Sequence, residues 1–183
     1  MASTAPPRLY FAYGSNLSPT QMSLRCPCLH ALGLAHLPDH TFIINTRRYA
    51  NVVPNGPVNP ADPAAAATTT NPASTASPTP SHPQDEATLD RCEGVPHAYQ
   101  KQHLTVSIVN LTSDGTAINL IAGSNVPALV YVDTARTEPS TTPWAEYIDR
   151  MNRGVDEATE RFRLPRDEAG VREGKKTIKD PVS

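Results

Sequence analysis

A net excess of charge of either sign is nearly absent from this chain: 16 Lys and Arg stand against 18 Asp and Glu, a formal charge of -2 over 183 residues. Nothing supplies the basic footprint that nucleic acid or an anionic membrane surface demands, so small uncharged or zwitterionic partners fit better. Cysteine is scarce. The three residues Cys26, Cys28 and Cys92 are odd in number and too few for a disulfide framework, which agrees with a reducing compartment. Aromatic residues make up only 5% and support a modest core. No run approaches the roughly 18 apolar residues of a bilayer span. The opening Met-Ala-Ser-Thr-Ala-Pro-Pro lacks the regions of a signal peptide, and the chain reads as cytoplasmic. Glycine is sparse at 9, whereas proline is abundant at 19, roughly twice its usual share.

The prolines are unevenly placed. From Pro54 to Glu86, Pro, Ala, Ser and Thr fill most positions and Val58 is the only branched apolar residue. Such a stretch buries too little surface to offset its ordering entropy, so residues 54–84 read as a disordered insert. The charged tail 165–183 reads as disordered as well. A single domain over 8–164, interrupted by the insert, is the expected organisation.

Two patterned blocks remain. Leu9-Tyr10-Phe11-Ala12-Tyr13 is a β-prone run that stops at Gly14-Ser15-Asn16. Ser18-Pro19-Thr20-Gln21 is a capping box with proline at the first helical position, so a short helix should carry Met22 to about Arg25 before Pro27 ends it. Gly33 to Leu37, Thr41 to Asn45 and Tyr49 to Val53 read as short strands. In the second block Gln84 to Glu93 reads as a helix closed by Gly94. Tyr99 to Asn110 alternates through Leu104, Val106 and Ile108 as a half-buried strand. Asp114-Gly115 marks a turn, and Thr116 to Ile121 and Ala128 to Val132 supply further strands. Trp144, Tyr147, Ile148, Met151, Val155, Ala158 and Phe162 share one face at helical spacing, as an amphipathic helix lying on a sheet does.

A strand that ends in Tyr13-Gly14-Ser15-Asn16 and then opens a helix presents backbone N–H groups at its end, a cradle for a carboxylate or a developing oxyanion. On shape alone a plain turn is the commoner reading. Further along, Gly33, Asn45, Tyr49-Ala50-Asn51-Val52, Leu89-Asp90-Arg91-Cys92-Glu93-Gly94-Val95 and Tyr99 follow in order. Together with Tyr10 to Leu17, these blocks resemble the gamma-glutamylcyclotransferase family, of the fungal type. The likeness runs from Arg8 to Phe162 outside the insert.

The resemblance implies an α+β fold, a small mixed β-barrel flanked by helices. It implies a lyase of the gamma-glutamyl cycle of glutathione metabolism, needing neither cofactor nor metal, that converts gamma-glutamyl amino acids or amines to 5-oxoproline and the free amine. The asparagine after Tyr-Gly-Ser resembles that branch rather than the glutathione-specific relatives. Glu93 matches the family's catalytic carboxylate. Tyr10, Phe11, Ala12, Tyr13, Gly14, Ser15 and the strand tyrosine Tyr131 match its substrate-binding positions. A small-molecule substrate, no nucleic acid and no membrane are the partner assignments; a homodimer is compatible with the reading and not required by it. Independently of the family, a carboxylate in the last turn of a helix faces the negative end of the macrodipole. That predicts a raised proton affinity for Glu93, useful in a general base.

Family members carry an apolar barrel strand just before the Leu-Asp-x-x-Glu-Gly-Val segment, and nothing from Pro54 to Glu86 reads as one. The alternative is therefore a non-catalytic ligand-binding or degraded paralogue, or a truncated variant, lacking that strand. Cys26-x-Cys28 with His30 is too compressed for an ordinary zinc site. His36 and His40 are separated by Pro38, which excludes a shared helical face.

Overall fold

In a computed structural model, residues 8–56, 74–79, 83–113, 119–140 and 142–162 are described. In chain order they form β1 (Arg8–Phe11), a 3-10 turn (Gly14–Leu17), α1 (Pro19–Arg25), β2 (Gly33–His36), β3 (His40–Ile44), β4 (Ala50–Pro54) and β5 (Ser74–Thr79). There follow α2 (Pro83–Glu93), β6 (Gln100–Leu111), β7 (Asn125–Val132) and α3 (Ala145–Phe162). The fold is the expected α+β arrangement, a mixed barrel with helices outside. The strand order is β1-β5-β2-β6-β7, and the barrel closes where β1 runs parallel to β7, with Leu9 opposite Ala128 and Tyr10 opposite Leu129. β3 and β4 form a separate antiparallel hairpin.

Period-two alternation sorts the barrel. Leu9 and Phe11 of β1 and Ala128, Val130 and Val132 of β7 point inward with Val106 and Ile108. Tyr10, Ala12, Leu129 and Tyr131 point outward, where Met22 of α1, Cys26 just after it and Leu89 of α2 cover them. Ser18 caps α1 as its sequence predicts: its hydroxyl oxygen accepts from the Gln21 N–H at 3.0 Å. That hydroxyl also donates to Glu157 of α3 at 2.7 Å. α3 packs on the 3-10 turn through Leu17, Val155, Ala158 and Phe162. The approach is close enough that a Cβ on Gly154 would meet Leu17 Cβ and the Ser18 nitrogen, each at 3.1 Å.

The chief correction concerns the missing strand. β5 comes from the Pro/Ala/Thr-rich stretch and takes a central place in the barrel, antiparallel to β1 (Phe11 opposite Ala76, Arg8 opposite Thr79) and to β2 (Leu34 opposite Thr75). Pairing uses the backbone, which every non-proline residue supplies, so a strand can form where apolar periodicity is absent. Pro78 does not interrupt the two-sided part of the ladder, because β2 reaches only Thr75 and Ser74. The rest of the expected insert, 57–73 and 80–82, the 114–118 turn region and the tail lie outside the described residues.

Two smaller corrections follow. Asn119 to Ile121 are turn and coil rather than strand, and β7 begins at Asn125, earlier than expected. Trp144 precedes α3 and is 45% exposed instead of lying on its apolar face. Its indole N–H donates to the Arg47 carbonyl at 3.0 Å, and the Arg48 guanidinium lies 4.2 Å from its ring.

Candidate active site

The 3-10 turn that follows β1, the end of α2, the β3–β4 turn and the first half of α3 surround one cleft of about 300 Å³. Ser15, Asn16, Arg25, Arg47, Tyr49, Cys92, Glu93, Gly94, Ala98, Tyr99, Tyr147 and Arg150 line it. Gly14 permits the turn: its φ is +61°, and a Cβ there would stand 2.6 Å from the Tyr147 hydroxyl and 2.7 Å from Ala50 Cβ.

Asn16 is the hub. Its Nδ2 donates to Glu93 Oε1 at 2.8 Å and to the Tyr10 hydroxyl at 2.9 Å. Its Oδ1 accepts from Arg25 Nη1 at 2.9 Å and Gln21 Nε2 at 3.0 Å. Both amide donors and both acceptor positions are thereby used, which fixes the orientation of the side chain and, through it, one oxygen of Glu93. Glu93 is the last residue of α2 and, among the described residues, the only carboxylate lining the cleft. Burial pushes its pKa above the usual glutamate value, while the Asn16 hydrogen bond and the charges of Arg25, Arg47 and Arg150 pull the other way. The raised affinity is thus in the expected direction, with loss of solvent as its first cause.

The phenols of Tyr147, Tyr99, Tyr10 and Tyr13 are protonated near neutral pH. Burial pushes Tyr147 up to about 12, and Tyr99, Tyr10 and Tyr13 are also raised by burial first of all. The Tyr147 oxygen accepts from the Ala50 N–H at 3.2 Å and from the Ser15 N–H, leaving its own proton to give. Tyr99 donates to the Ala50 carbonyl at 2.6 Å. The loop is therefore less open as a cradle than the sequence suggests. The Ser15 N–H serves Tyr147 and the Asn16 N–H serves the Tyr13 carbonyl.

Of the residues singled out in the sequence, Glu93 and Ser15 line the cleft. Gly14 and Tyr13 shape its back, Tyr13 donating to the Tyr131 carbonyl at 2.6 Å, and Tyr10 is one hydrogen bond away through Asn16. Phe11 belongs to the barrel core, and Ala12 to the cluster under the helices. The Tyr131 hydroxyl donates to Asp90 at 2.8 Å, away from the cleft lining. Arg25, Arg47, Tyr147 and Arg150 are the lining residues that pattern reading overlooked. Tyr147 falls on an apolar helical face and reads as core, and a lone arginine in a turn, as Arg47 is, or on a helix, as Arg25 and Arg150 are, carries no local signal. Among the described residues no group of three or more His, Cys, Asp or Glu is placed to hold a metal ion. Cys26 is buried against the Asp85 carbonyl, with its thiol pushed up to about 11. No described helix is long and apolar enough to cross a membrane.

No family model matches the chain, and no curated protein matches it in sequence. Solved structures do. A gamma-glutamyl cyclotransferase superposes with a TM-score of 0.61 at 19% identity, over 96% of this chain and 89% of that one. An uncharacterised protein from Homo sapiens gives 0.60 at 19% identity, over 98% and 91%. YkqA from Bacillus subtilis gives 0.63 at 17% identity, over 96% of this chain and 55% of that one. The chain has the gamma-glutamylcyclotransferase-like fold.

Proposed function

We propose that this protein is a gamma-glutamylcyclotransferase that converts gamma-glutamyl amino acids or amines into 5-oxoproline and the free amine, with Glu93 as general base and acid. The observation that carries the reading is a half-buried carboxylate of raised pKa, held by Asn16 in a cleft that Arg25, Arg47, Arg150, Tyr99 and Tyr147 also line. A cleft of about 300 Å³ lies at the small end of ligand sites and suits a substrate of dipeptide size.

The reaction is an internal aminolysis. The α-amine of the substrate attacks the γ-carbonyl carbon of the same molecule, forming the C–N bond of a five-membered lactam, while Glu93 accepts a proton from that amine. The γ-oxygen carries the developing negative charge. The Tyr147 hydroxyl is the group placed to donate to it, its oxygen being held by two backbone N–H groups. Glu93 then returns its proton to the leaving nitrogen, the original amide C–N bond breaks, and 5-oxoproline and the amine separate. Neither water nor an oxidant enters the balance. Arg25, held by Asn16 beside Glu93, fits the α-carboxylate that neighbours the reacting amine.

The non-catalytic alternative rested on an absent barrel strand, and β5 fills that place. The test is 5-oxoproline release by the purified protein from a panel of gamma-glutamyl dipeptides and amines, with Glu93→Gln as control. Release that the substitution abolishes supports the assignment; a folded protein that binds these compounds without consuming them overturns it.

A further inference from the structure

The start of α1 carries a glutamine that capping alone does not explain. Gln21 follows the N-cap Ser18 at the position from which a glutamine side chain ordinarily reaches back to the capping residue's N–H. Here the Ser18 N–H goes instead to the Ser15 carbonyl at 3.3 Å. The Gln21 side chain turns to the 3-10 turn, where its Nε2 donates to the Ser15 carbonyl at 3.1 Å and to Asn16 Oδ1 at 3.0 Å, with Ser15 Oγ at 3.4 Å. The orientation of both amides is forced. Arg25 can only donate, so Asn16 must turn its oxygen to it; that oxygen and the Ser15 carbonyl can only accept, so Gln21 must offer its nitrogen.

Ser15 and Asn16 are the residues through which the turn reaches the reacting groups. The Ser15 N–H holds the Tyr147 oxygen, and Asn16 Nδ2 holds Glu93 Oε1 at 2.8 Å. Gln21 bridges the two without lining the cleft itself. Its own place is fixed: the Gln21 N–H is capped by Ser18 Oγ at 3.0 Å, and that hydroxyl donates to Glu157 of α3, the helix that also carries Tyr147. We propose that Gln21 is a positioning residue, which sets the Glu93 carboxylate and the Tyr147 hydroxyl in register with one another by clamping Ser15 to Asn16. This rests on the cyclotransferase reading of the same cleft.

Three substitutions separate clamping from capping. Glutamate suits a helix start at least as well as glutamine, whereas methionine and lysine do not, so a purely structural role predicts activity that follows stability with Gln21→Glu at the top. A clamp needs a donor, which Gln21→Lys keeps and Gln21→Met and Gln21→Glu lack. With gamma-glutamylalanine as substrate, Gln21→Met and Gln21→Glu should lower kcat about tenfold with KM little changed, and Gln21→Lys should recover part of the loss. Gln21→Glu should meanwhile unfold no earlier than wild type. An unchanged kcat in Gln21→Met, or activity that follows the denaturation midpoint across the three, overturns the proposal. If wild type releases no 5-oxoproline, the catalytic reading fails, and a carboxyl-carbon NMR titration of Glu93 decides the clamp. Arg25, Arg47, Arg150, the Cys92 thiol and the phenols of Tyr10, Tyr13, Tyr99 and Tyr147 surround Glu93 in wild type and in Gln21→Met alike. A higher Glu93 pKa in the variant therefore reports a loosened Asn16 hydrogen bond and upholds the clamp; an equal or lower one overturns it.

Discussion

Asn16 holds Glu93 by one oxygen, Tyr10 by its hydroxyl and Arg25 by its guanidinium, so three functional positions depend on a single amide. Removing it with Asn16→Ala should lower kcat/KM by at least tenfold, and should shift the acid limb of the pH profile upward, because a hydrogen bond that favours ionised Glu93 is lost. The wild-type acid limb itself should lie above the ordinary glutamate value, with activity rising as pH rises through the folded-state pKa. The same shift makes a stability prediction. A carboxyl whose folded pKa is raised contributes stability that is complete below its unfolded value and is lost as pH rises through the folded one. Glu93→Gln should therefore abolish 5-oxoproline release and melt at a higher temperature than wild type at neutral pH, the difference vanishing near pH 4. Tyr147→Phe should lower kcat more than it changes KM. It should also cost about 1–3 kcal/mol in chemical denaturation, because the Ala50 and Ser15 N–H groups lose their acceptor.

At the level of elements, β5 shows what pattern reading misses and why. The strands legible in the sequence, such as Leu104, Val106 and Ile108 of β6, declare themselves because alternate residues face the core. Ser74–Thr79 has no such alternation, and its place is set by the free edges of β1 and β2. Thr75→Pro should remove the donor opposite Leu34 and destabilise the barrel by about 1–3 kcal/mol, measured as a lower denaturation midpoint. The α3 contact offers a second test. Gly154→Val would force side-chain atoms into Leu17 and the Ser18 nitrogen, already at 3.1 Å from a Cβ. The expected cost is about 1–3 kcal/mol for overpacking, with loss of activity because the 3-10 turn carrying Ser15 and Asn16 must move.

Across the whole molecule, one buried polar knot ties the β3–β4 hairpin to the end of β7. Asp133, 1% exposed, accepts from Asn45 Nδ2 at 2.9 Å and pairs with Arg136 at 3.1 Å. Its N–H donates to Asn51 Oδ1 at 2.9 Å, while Asn51 Nδ2 donates back to the Asp133 carbonyl at 2.9 Å. Asp133→Ala should cost about 2–3 kcal/mol. That is below the price of breaking a fully buried pair, because the arginines facing Asp133 are about one-third exposed. Since Arg47 and Tyr49 ride on the hairpin, KM should rise as well, whereas a substitution at the exposed Leu24 should leave both quantities within experimental error.

The sequence by itself determined what neighbours along the chain decide: the capped start of α1 at Ser18, the end of α2 at Gly94, the alternation of β6, the amphipathic run of α3, and a carboxylate at the close of a helix. Each is a matter of local sterics, capping or periodicity, written within a few residues. Only the tertiary structure decided that a Pro/Ala/Thr-rich stretch is a central strand, that burial raises Glu93, and that Arg25, Arg47, Tyr147 and Arg150 meet around it. Backbone pairing is nearly indifferent to side-chain type, and desolvation depends on what the rest of the chain packs around a group. Neither quantity exists until segments far apart in sequence have come together.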